Sequence, residues 1–537
     1  MATVVREIER KYEPGTAGTA ALDAVKAMTG TAGVAAVSQQ GEQLLDAVYY
    51  DTADLRLIRA GITLRRRTGG ADAGWHLKLP AGADIRDEIR LPLADRNGKP
   101  AAGAASGTAR MRAATPARGD SAVPKELAAL VRAYTRDTAL TPVVHIQTRR
   151  RGLWLLDRAG RILAEIAADH VSAGPADGFA ATSWDEIEAE LVTGDSDLLN
   201  AIDTRLRKAG ARSAATATKL QRALGGRLPA AEAALPPPLT AQPTAGELVL
   251  AYVRDQVAAV SRYDPLVRRG TPDAVHQMRV ATRRARSALQ AFGRVVEREA
   301  TRPLCAELKW LAAALGQARD AEVLRDRLTS GLAAIPPALV AGPVAARITA
   351  HFTAELAEAG DAVLRALDGQ RYLRLLDDLD ALLADPPLTP LAQRKAGKAV
   401  AKPVRRTQQR LQRALAAVPG AEDRDAAIHE ARKAAKRARY AAEAAVPALG
   451  GKAQRQAARA KELQQLLGDH HDSVVARTVL LNLAAAARAD GDDTFSYGLM
   501  YQSQVCQADT IEQALPRIAT PASAITARSR GFMKHQS

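Results

Sequence analysis

The chain has 537 residues, 47% of them apolar, so it can bury more than one core. Aromatics are only 4%, which leaves those cores to small aliphatic side chains, and the net charge of +16 points to polyanionic partners such as nucleic acid, polyphosphate or anionic lipid. Two distant cysteines, Cys305 and Cys506, exclude a disulfide framework and fit a reducing cytosol; no apolar run is long enough for a membrane span, so a cytoplasmic protein with no membrane partner is expected.

The first strand is Glu7-Ile8-Glu9-Arg10-Lys11. Alternate side chains of a strand share a face, so Glu7, Glu9 and Lys11 lie together. Two carboxylates and an ammonium on one surface suit a divalent cation and an anion held side by side. Oxygen ligands favour Mg²⁺ or Mn²⁺. A solvated edge of mixed charge is the ordinary explanation of so short a pattern, and the rest of the chain must decide.

An Ala-rich helical stretch is expected between Pro14 and Gly30. Strands follow at Leu44 to Asp51, Thr63 to Arg67, Gly74 to Leu79 and Ile85 to Leu91, separated by turn residues. Residues 95–120 shift to Ala, Gly, Arg and Pro and read as an insertion. A helix is expected from Val123 to Thr135. Strands resume at Val143 to Arg150, Leu153 to Asp157, Arg161 to Ile166 and Trp184 to Leu191. Helices at Asp195 to Lys208 and Lys219 to Leu224 close a domain over 1–225. Residues 226–245, with three consecutive prolines, read as a semi-rigid linker. Helical periodicity then fills 246–515, broken at 270–272, 336–337, 386–387 and 419–420. Residues 516–537 read as a disordered basic tail.

The strands carry a repeated device. Arg65 and Arg67 share a face, as do His76 and Lys78, and Arg86, Glu88 and Arg90. Glu186, Glu188 and Glu190 repeat the spaced acids of the first strand. A closed lumen of such charges needs counter-ions. A phosphate chain with a divalent metal supplies both signs.

In this order the segments resemble the CYTH superfamily, the triphosphate tunnel metalloenzymes. The resemblance rests on Glu7-Ile8-Glu9-Arg10-Lys11, Tyr50-Asp51-Thr52, Leu64-Arg65-Arg66-Arg67, Trp75-His76-Leu77-Lys78, Arg86-Asp87-Glu88, Thr148-Arg149, Ala164-Glu165-Ile166, Ile187-Glu188-Ala189-Glu190-Leu191 and Thr218-Lys219-Leu220. It implies an α+β fold whose first domain is an eight-stranded antiparallel tunnel that cleaves a triphosphate. By position, Glu7, Glu9, Glu188 and Glu190 would hold Mg²⁺ or Mn²⁺. Lys11, Arg65, Arg67, Lys78, Arg149 and Lys219 would grip phosphate. Glu7, Glu9, Lys11 and Glu88 form the expected catalytic set, with Glu165 and Asp169 as secondary candidates. Three consecutive arginines, Arg149, Arg150 and Arg151, cannot all face inward, and Arg149 is the one favoured.

In the helical half, His276, Arg279, Arg283 and Arg286 step by three and four and share one helix face. Met278, Thr282, Ala285 and Leu289 form its packing face. The stripe recurs 153 residues later as His429, Arg432, Lys436 and Arg439. Downstream, Leu315-Gly316 and Asp320 recur as Leu467-Gly468 and Asp472 at an offset of 152. Such an offset indicates an internal duplication, here two pseudo-symmetric helical repeats. Like charges one turn apart cost a helix roughly 0.2–0.5 kcal/mol per pair, so a repeated costly face argues for an anion groove. Two isolated histidines offer too few ligands for zinc.

These paired stripes resemble the CHAD domain, an all-helical module often found behind CYTH domains. The resemblance implies binding of long-chain polyphosphate, at granules, by His276, Arg279, Arg283, Arg286, His429, Arg432, Lys436 and Arg439, with Lys309, Lys433, Arg437 and Lys461 as additions. Together the two resemblances favour an inorganic triphosphatase with tripolyphosphate as substrate. The alternatives are a non-catalytic polyphosphate scaffold and a tunnel acting on thiamine or nucleoside triphosphates. The scarcity of aromatics for base stacking counts against nucleic acid.

Overall fold

The computed structural model describes residues 3–15, 20–82, 84–93, 122–176, 178, 181–228 and 239–519. The 95–120 insertion, most of the Pro-rich linker and the end of the tail lie outside them. Two compact units form, 1–236 and 237–537.

The first unit contains β1 (Thr3–Glu13), α1 (Ala20–Lys26), β2 (Ala36–Asp51), α2 (Arg56–Arg59), β3 (Thr63–Thr68), β4 (Gly74–Pro80) and β5 (Ile85–Pro92). It continues through α3 (Lys125–Leu130), α4 (Arg132–Thr135), β6 (Thr141–Leu156), β7 (Ile162–Pro175), β8 (Thr182–Leu191), α5 (Ser196–Lys208), β9 (Arg212–Ser213) and α6 (Lys219–Leu224). The sheet runs β5-β4-β3-β2-β6-β7-β8-β1, and a β5–β1 pairing closes it into an eight-stranded antiparallel barrel. Short β9 adds to the upper part of β1.

Two differences from the sequence reading have plain causes. The segments 143–150 and 153–157 are one strand, because Gly152 needs no turn and stays in register opposite Ala167. The helix sought between Pro14 and Gly30 is only the seven residues of α1.

Much of the apolar core lies outside the barrel. Ile8 and Tyr12 of β1, Ile187 and Ala189 of β8 and Ile166 of β7 pack under α1 and α5. A second cluster, with Leu64, Leu77 and Ile89, is covered by α2 and α3 through Leu57 and Leu127. Period-two alternation therefore sends the charged faces of the same strands into the lumen. One end of the lumen is apolar: Ala47, Ile146, Val171 and Trp184 pack against Leu220 and Leu224 of α6. That helix plugs the barrel.

The second unit contains α7 (Ala245–Arg268), α8 (Ala274–Ala291), α9 (Arg298–Ala333), α10 (Val344–Asp368), α11 (Gln370–Ala384), α12 (Ala396–Ala417), α13 (Arg424–Leu449), α14 (Gly451–Ala489) and α15 (Phe495–Ala519). All four expected breaks fall between helices, and the last helix runs four residues past 515. Thr244 and Glu247 form a capping box that starts α7. Consecutive helices pack in the same order in both halves, α7 to α10 and α12 to α15, with α11 between. The duplication seen in sequence is thus a duplication of helical hairpins. The face of Met278, Thr282, Ala285 and Leu289 is buried as expected.

Candidate tunnel active site and basic helical groove

Register fixes which side chains meet in the lumen. Glu9 lies opposite Glu190, and Glu190 opposite Glu165. Lys11 lies opposite Glu188. Across the far wall, Gln43, Arg150, Asp169 and Glu186 form one row. Lys78 lies between Thr63 and Glu88, and Arg65 between Tyr49 and His76. The resulting cavity has a volume of about 430 Å³ and is lined by Glu9, Lys11, Arg65, Lys78, Arg150, Glu165, Glu188 and Glu190 together with Glu7, Arg67, Arg86, Arg90 and Lys219, while Asp169, Glu186, His76 and Glu88 pack just behind that lining.

The charges interlock. Lys78 Nζ is 2.5 Å from Glu7, and Arg86 Nη1 donates to Glu9 at 2.9 Å. Glu188 receives Lys11, Lys219 at 2.7 Å and Arg150 at 2.5 Å. Burial opposes its ionisation, but Lys11, Lys219 and Arg150 hold its pKa well below the usual carboxylate range. Glu88 is fully buried beside His76 at 2.8 Å, and His76, Lys78 and Arg65 overcome the burial that would raise its pKa. Lys219 enters the lumen from the first turn of α6, whose N-cap Thr218 accepts from Gln221 N.

The structure brings together Glu7, Glu9, Lys11, Arg65, Arg67, Lys78, Glu88, Glu188, Glu190 and Lys219. It does not bring Arg149, which is exposed on the outer face. Arg150 takes the inward place, donating to Asp169 at 2.7 and 2.8 Å. The physical reason is parity: Thr148, Arg150 and Gly152 share one face, Arg149 and Arg151 the other. Four further lumen residues were not assigned roles from sequence. Glu186 and Arg86 were legible from their spacing, and Arg90 likewise. Asp72 carried no signal, because it comes from a turn.

Two donor sets bear on a metal. Asp169, Glu186 and Glu188 place one oxygen each within 4.8 Å of one another. Lys219 Nζ already sits 2.7–2.8 Å from all three. The expected set behaves differently. Glu190 has no ion pair among the described residues, and its pKa is pushed up to about 7 by burial, with Glu7, Glu9 and Glu188 adding to the push and Lys78 opposing it. A carboxyl surrounded by carboxylates fits a divalent cation. Glu7, Glu9, Glu188 and Glu190 therefore suit a divalent metal, although no three of their oxygens converge as closely as in the first set.

The cavity also keeps unused donors. The Nε–H groups of Arg65 and Arg67 are buried without an acceptor. Burial and the adjacent Arg65 lower the Arg67 pKa to about 10.

In the helical unit, Arg279, Arg283, Arg286, Lys309, Lys433, Lys436 and Arg437 line one groove of about 570 Å³. The repeat is visible in its ion pairs. Arg279 meets Asp320 at 2.8 Å, and its counterpart Arg432 meets Asp472 at 3.7 Å. Gly316 and Gly468 leave room for the two guanidiniums: a Cβ at Gly316 would come within 3.2 Å of Arg279. His429 stacks near His471 at 4.7 Å, whereas His276 faces Arg319 in the other repeat. Arg279, Arg286 and Arg432 keep buried Nε–H groups without an acceptor. Burial, then Arg283, Arg432 and Arg279, push the Lys436 pKa down to about 6.

Arg439 does not join the groove. Its Nε donates to Glu443 at 2.7 Å, and Glu443 also receives Arg284. Lys461 is exposed and outside the groove lining, and His276, His429 and Arg432 also lie outside that lining.

Comparison with known proteins places these features. The CYTH domain family matches residues 6–224 and the CHAD domain family residues 251–481. Two Mycobacterium tuberculosis sequences, from strains CDC 1551 and H37Rv and both described as uncharacterized proteins, are 39% identical over 532 residues, which is 95% of this chain and 94% of theirs. Among solved structures, PptA from Streptomyces chartreusis is 22% identical with a TM-score of 0.44, over 51% of this chain and 99% of that one. The CHAD domain of the plant Ricinus communis is 28% identical with a TM-score of 0.42, over 52% and 93%. Among the described residues, no helix is long and apolar enough to cross a membrane.

Proposed function

The chain belongs to the proteins that join a CYTH domain to a CHAD domain, and from that premise we propose that its barrel hydrolyses inorganic triphosphate to pyrophosphate and phosphate. One observation carries the reading: the same cavity holds a carboxyl, Glu190, crowded by other carboxylates, and two guanidiniums, Arg65 and Arg67, whose buried Nε–H groups meet no acceptor. A triphosphate with a divalent metal satisfies both.

Lys11, Arg65, Arg67, Lys78, Arg150 and Lys219 grip phosphate oxygens and neutralise charge that grows as the bridging bond breaks. Arg86 positions Glu9 by donating to it, and His76 positions Glu88. Mg²⁺ or Mn²⁺ at Glu7, Glu9, Glu188 and Glu190 would supply further neutralisation and an oriented water. Burial and the apolar plug at α6 keep bulk water out of that end. The helical groove binds long-chain polyphosphate through Arg279, Arg283, Arg286 and Lys436, which suits a protein kept at polyphosphate granules in the cytoplasm. The unpartnered Nε–H groups there support this.

A second reading has one observation behind it. Lys219 already fills the Asp169–Glu186–Glu188 trio, as it would in a tunnel that binds polyphosphate without cleaving it. Orthophosphate release from tripolyphosphate with Mg²⁺, run beside ATP and thiamine triphosphate, separates these. Release from tripolyphosphate ahead of the other two supports the triphosphatase. Binding without release supports the scaffold.

A further inference from the structure

We propose that Asp72, on the turn between β3 and β4, sets the length of phosphate chain that the tunnel accepts, by holding Arg67 and Arg90 at the open mouth where a further phosphate would lie. The inference deepens the tunnel reading and rests on it.

Asp72 lies at the end away from the α6 plug. Val5, Gln43, Asp72, Arg90 and Glu165 all line the cavity. The Asp72 carboxylate pairs with the Arg67 guanidinium and stands 3.9 Å from Arg90 Nη1. Both arginines belong to lumen-facing positions of β3 and β5. The Arg67 side chain is 7% exposed and that of Asp72 36%, so the acid covers the cation from the solvent side.

The turn is held in one place. Gly69 and Gly70 have φ of +79° and +76°, a region open to glycine. A Cβ on Gly69 would lie 2.2 Å from the Leu44 carbonyl oxygen, so the turn is pressed against β2. His76 Nε2 donates to the Asp72 carbonyl oxygen at 2.8 Å, while its Nδ1 lies 2.8 Å from Glu88. One imidazole thus ties the turn to the catalytic wall. These constraints deliver a carboxylate, in fixed position, to Arg67 and to the Nη1 side of Arg90, whose other nitrogens already meet Glu88 and Glu7.

The consequence is a charge stop. Deeper in the lumen, Lys11, Arg65, Lys78, Arg150 and Lys219 remain for a short chain, and Arg67 still offers it the buried Nε–H that Asp72 does not take. A phosphate arriving next at the mouth must displace Asp72 from Arg67 and Arg90, or lie against its negative charge.

The test compares tripolyphosphate with tetrapolyphosphate on the full chain with Mg²⁺. Asp72→Asn keeps the shape and removes the charge; it should raise the tetra-to-tri ratio of kcat/KM by about tenfold, the size expected of one like-charge contact. Asp72→Glu keeps the charge and should leave the ratio within about twofold of the unsubstituted chain. Metal-free calorimetry of the unsubstituted chain should show tighter binding of tripolyphosphate, which keeps the inference testable if a variant folds poorly. Equal binding of the two chains, or an unchanged ratio in Asp72→Asn while tripolyphosphate is still cleaved, overturns the role of Asp72 alone. An unsubstituted chain that neither binds nor cleaves tripolyphosphate overturns the tunnel reading as well.

Discussion

Arg150 meets Asp169 through two nearly parallel contacts, Nη2 to Oδ2 at 2.7 Å and Nε to Oδ1 at 2.8 Å, inside the barrel wall. The same guanidinium reaches Glu188 at 2.5 Å. A fork bound to two carboxylates is fixed in direction, and it points its remaining charge into the cavity.

Arg150→Gln should therefore lower kcat/KM for tripolyphosphate by about 10²-fold, as removal of one preorganised cationic donor does. Arg149→Gln, on the outer face, should leave it within about twofold. Phosphate release under identical Mg²⁺ checks both. Equal effects of the two substitutions would remove Arg150 from the site.

Glu7→Gln and Glu9→Gln should abolish metal-dependent hydrolysis, by about 10²–10³-fold or more, with the circular dichroism spectrum unchanged. Each loses a charge that the lumen cations Lys78 and Arg86 now balance. Either variant turning over at the unsubstituted rate would exclude that glutamate.

Polyphosphate binding by the helical unit should take up protons near neutral pH. The Lys436 amine has its pKa lowered from the ordinary lysine value of 10.5 to about 6 by burial and by Arg283, Arg432 and Arg279, with Asp320 opposing them and His471 nearby. Between those two values the unfolded chain carries a proton that the free folded chain does not. Stability from this group is therefore lost as pH falls from about 10.5 towards 6, and is level below that. A bound polyanion restores the charged amine, so affinity should fall as pH rises from 7 to about 9. Calorimetry in buffers of different ionisation enthalpy reads the uptake, and Lys436→Met should remove it.

Affinity for long polyphosphate should drop steeply with salt, because counterions are released. Arg286→Ala should reduce the slope of log affinity against log salt by about 1, since that side chain faces the groove with a free donor. Arg439→Ala should leave the slope unchanged, because Glu443 already holds that guanidinium. A slope near zero in the unsubstituted chain would end the groove reading.

Gly69→Ala should lower barrel stability by about 1–3 kcal/mol, seen as a fall in melting temperature. Its positive φ and the Leu44 carbonyl 2.2 Å from an added Cβ leave no relaxed place for the methyl group. Gly160, also at positive φ but with nothing within 4 Å, should tolerate the same change better.

The sequence by itself determined the two domains, the alternation that makes each barrel strand apolar on one side and charged on the other, and the helical duplication. These follow from local periodicity, 2 for strands and 3.6 for helices, which needs no knowledge of neighbours. It could not say which parity of three consecutive arginines turns inward, because that depends on the register with β2 and β7. Nor could it show that Glu443 would sequester Arg439, that Lys219 would sit among three acids, or that a turn would bring Asp72 onto Arg67. Each of those pairs joins separate elements, and only closure of the barrel and packing of the helices bring their charges within reach.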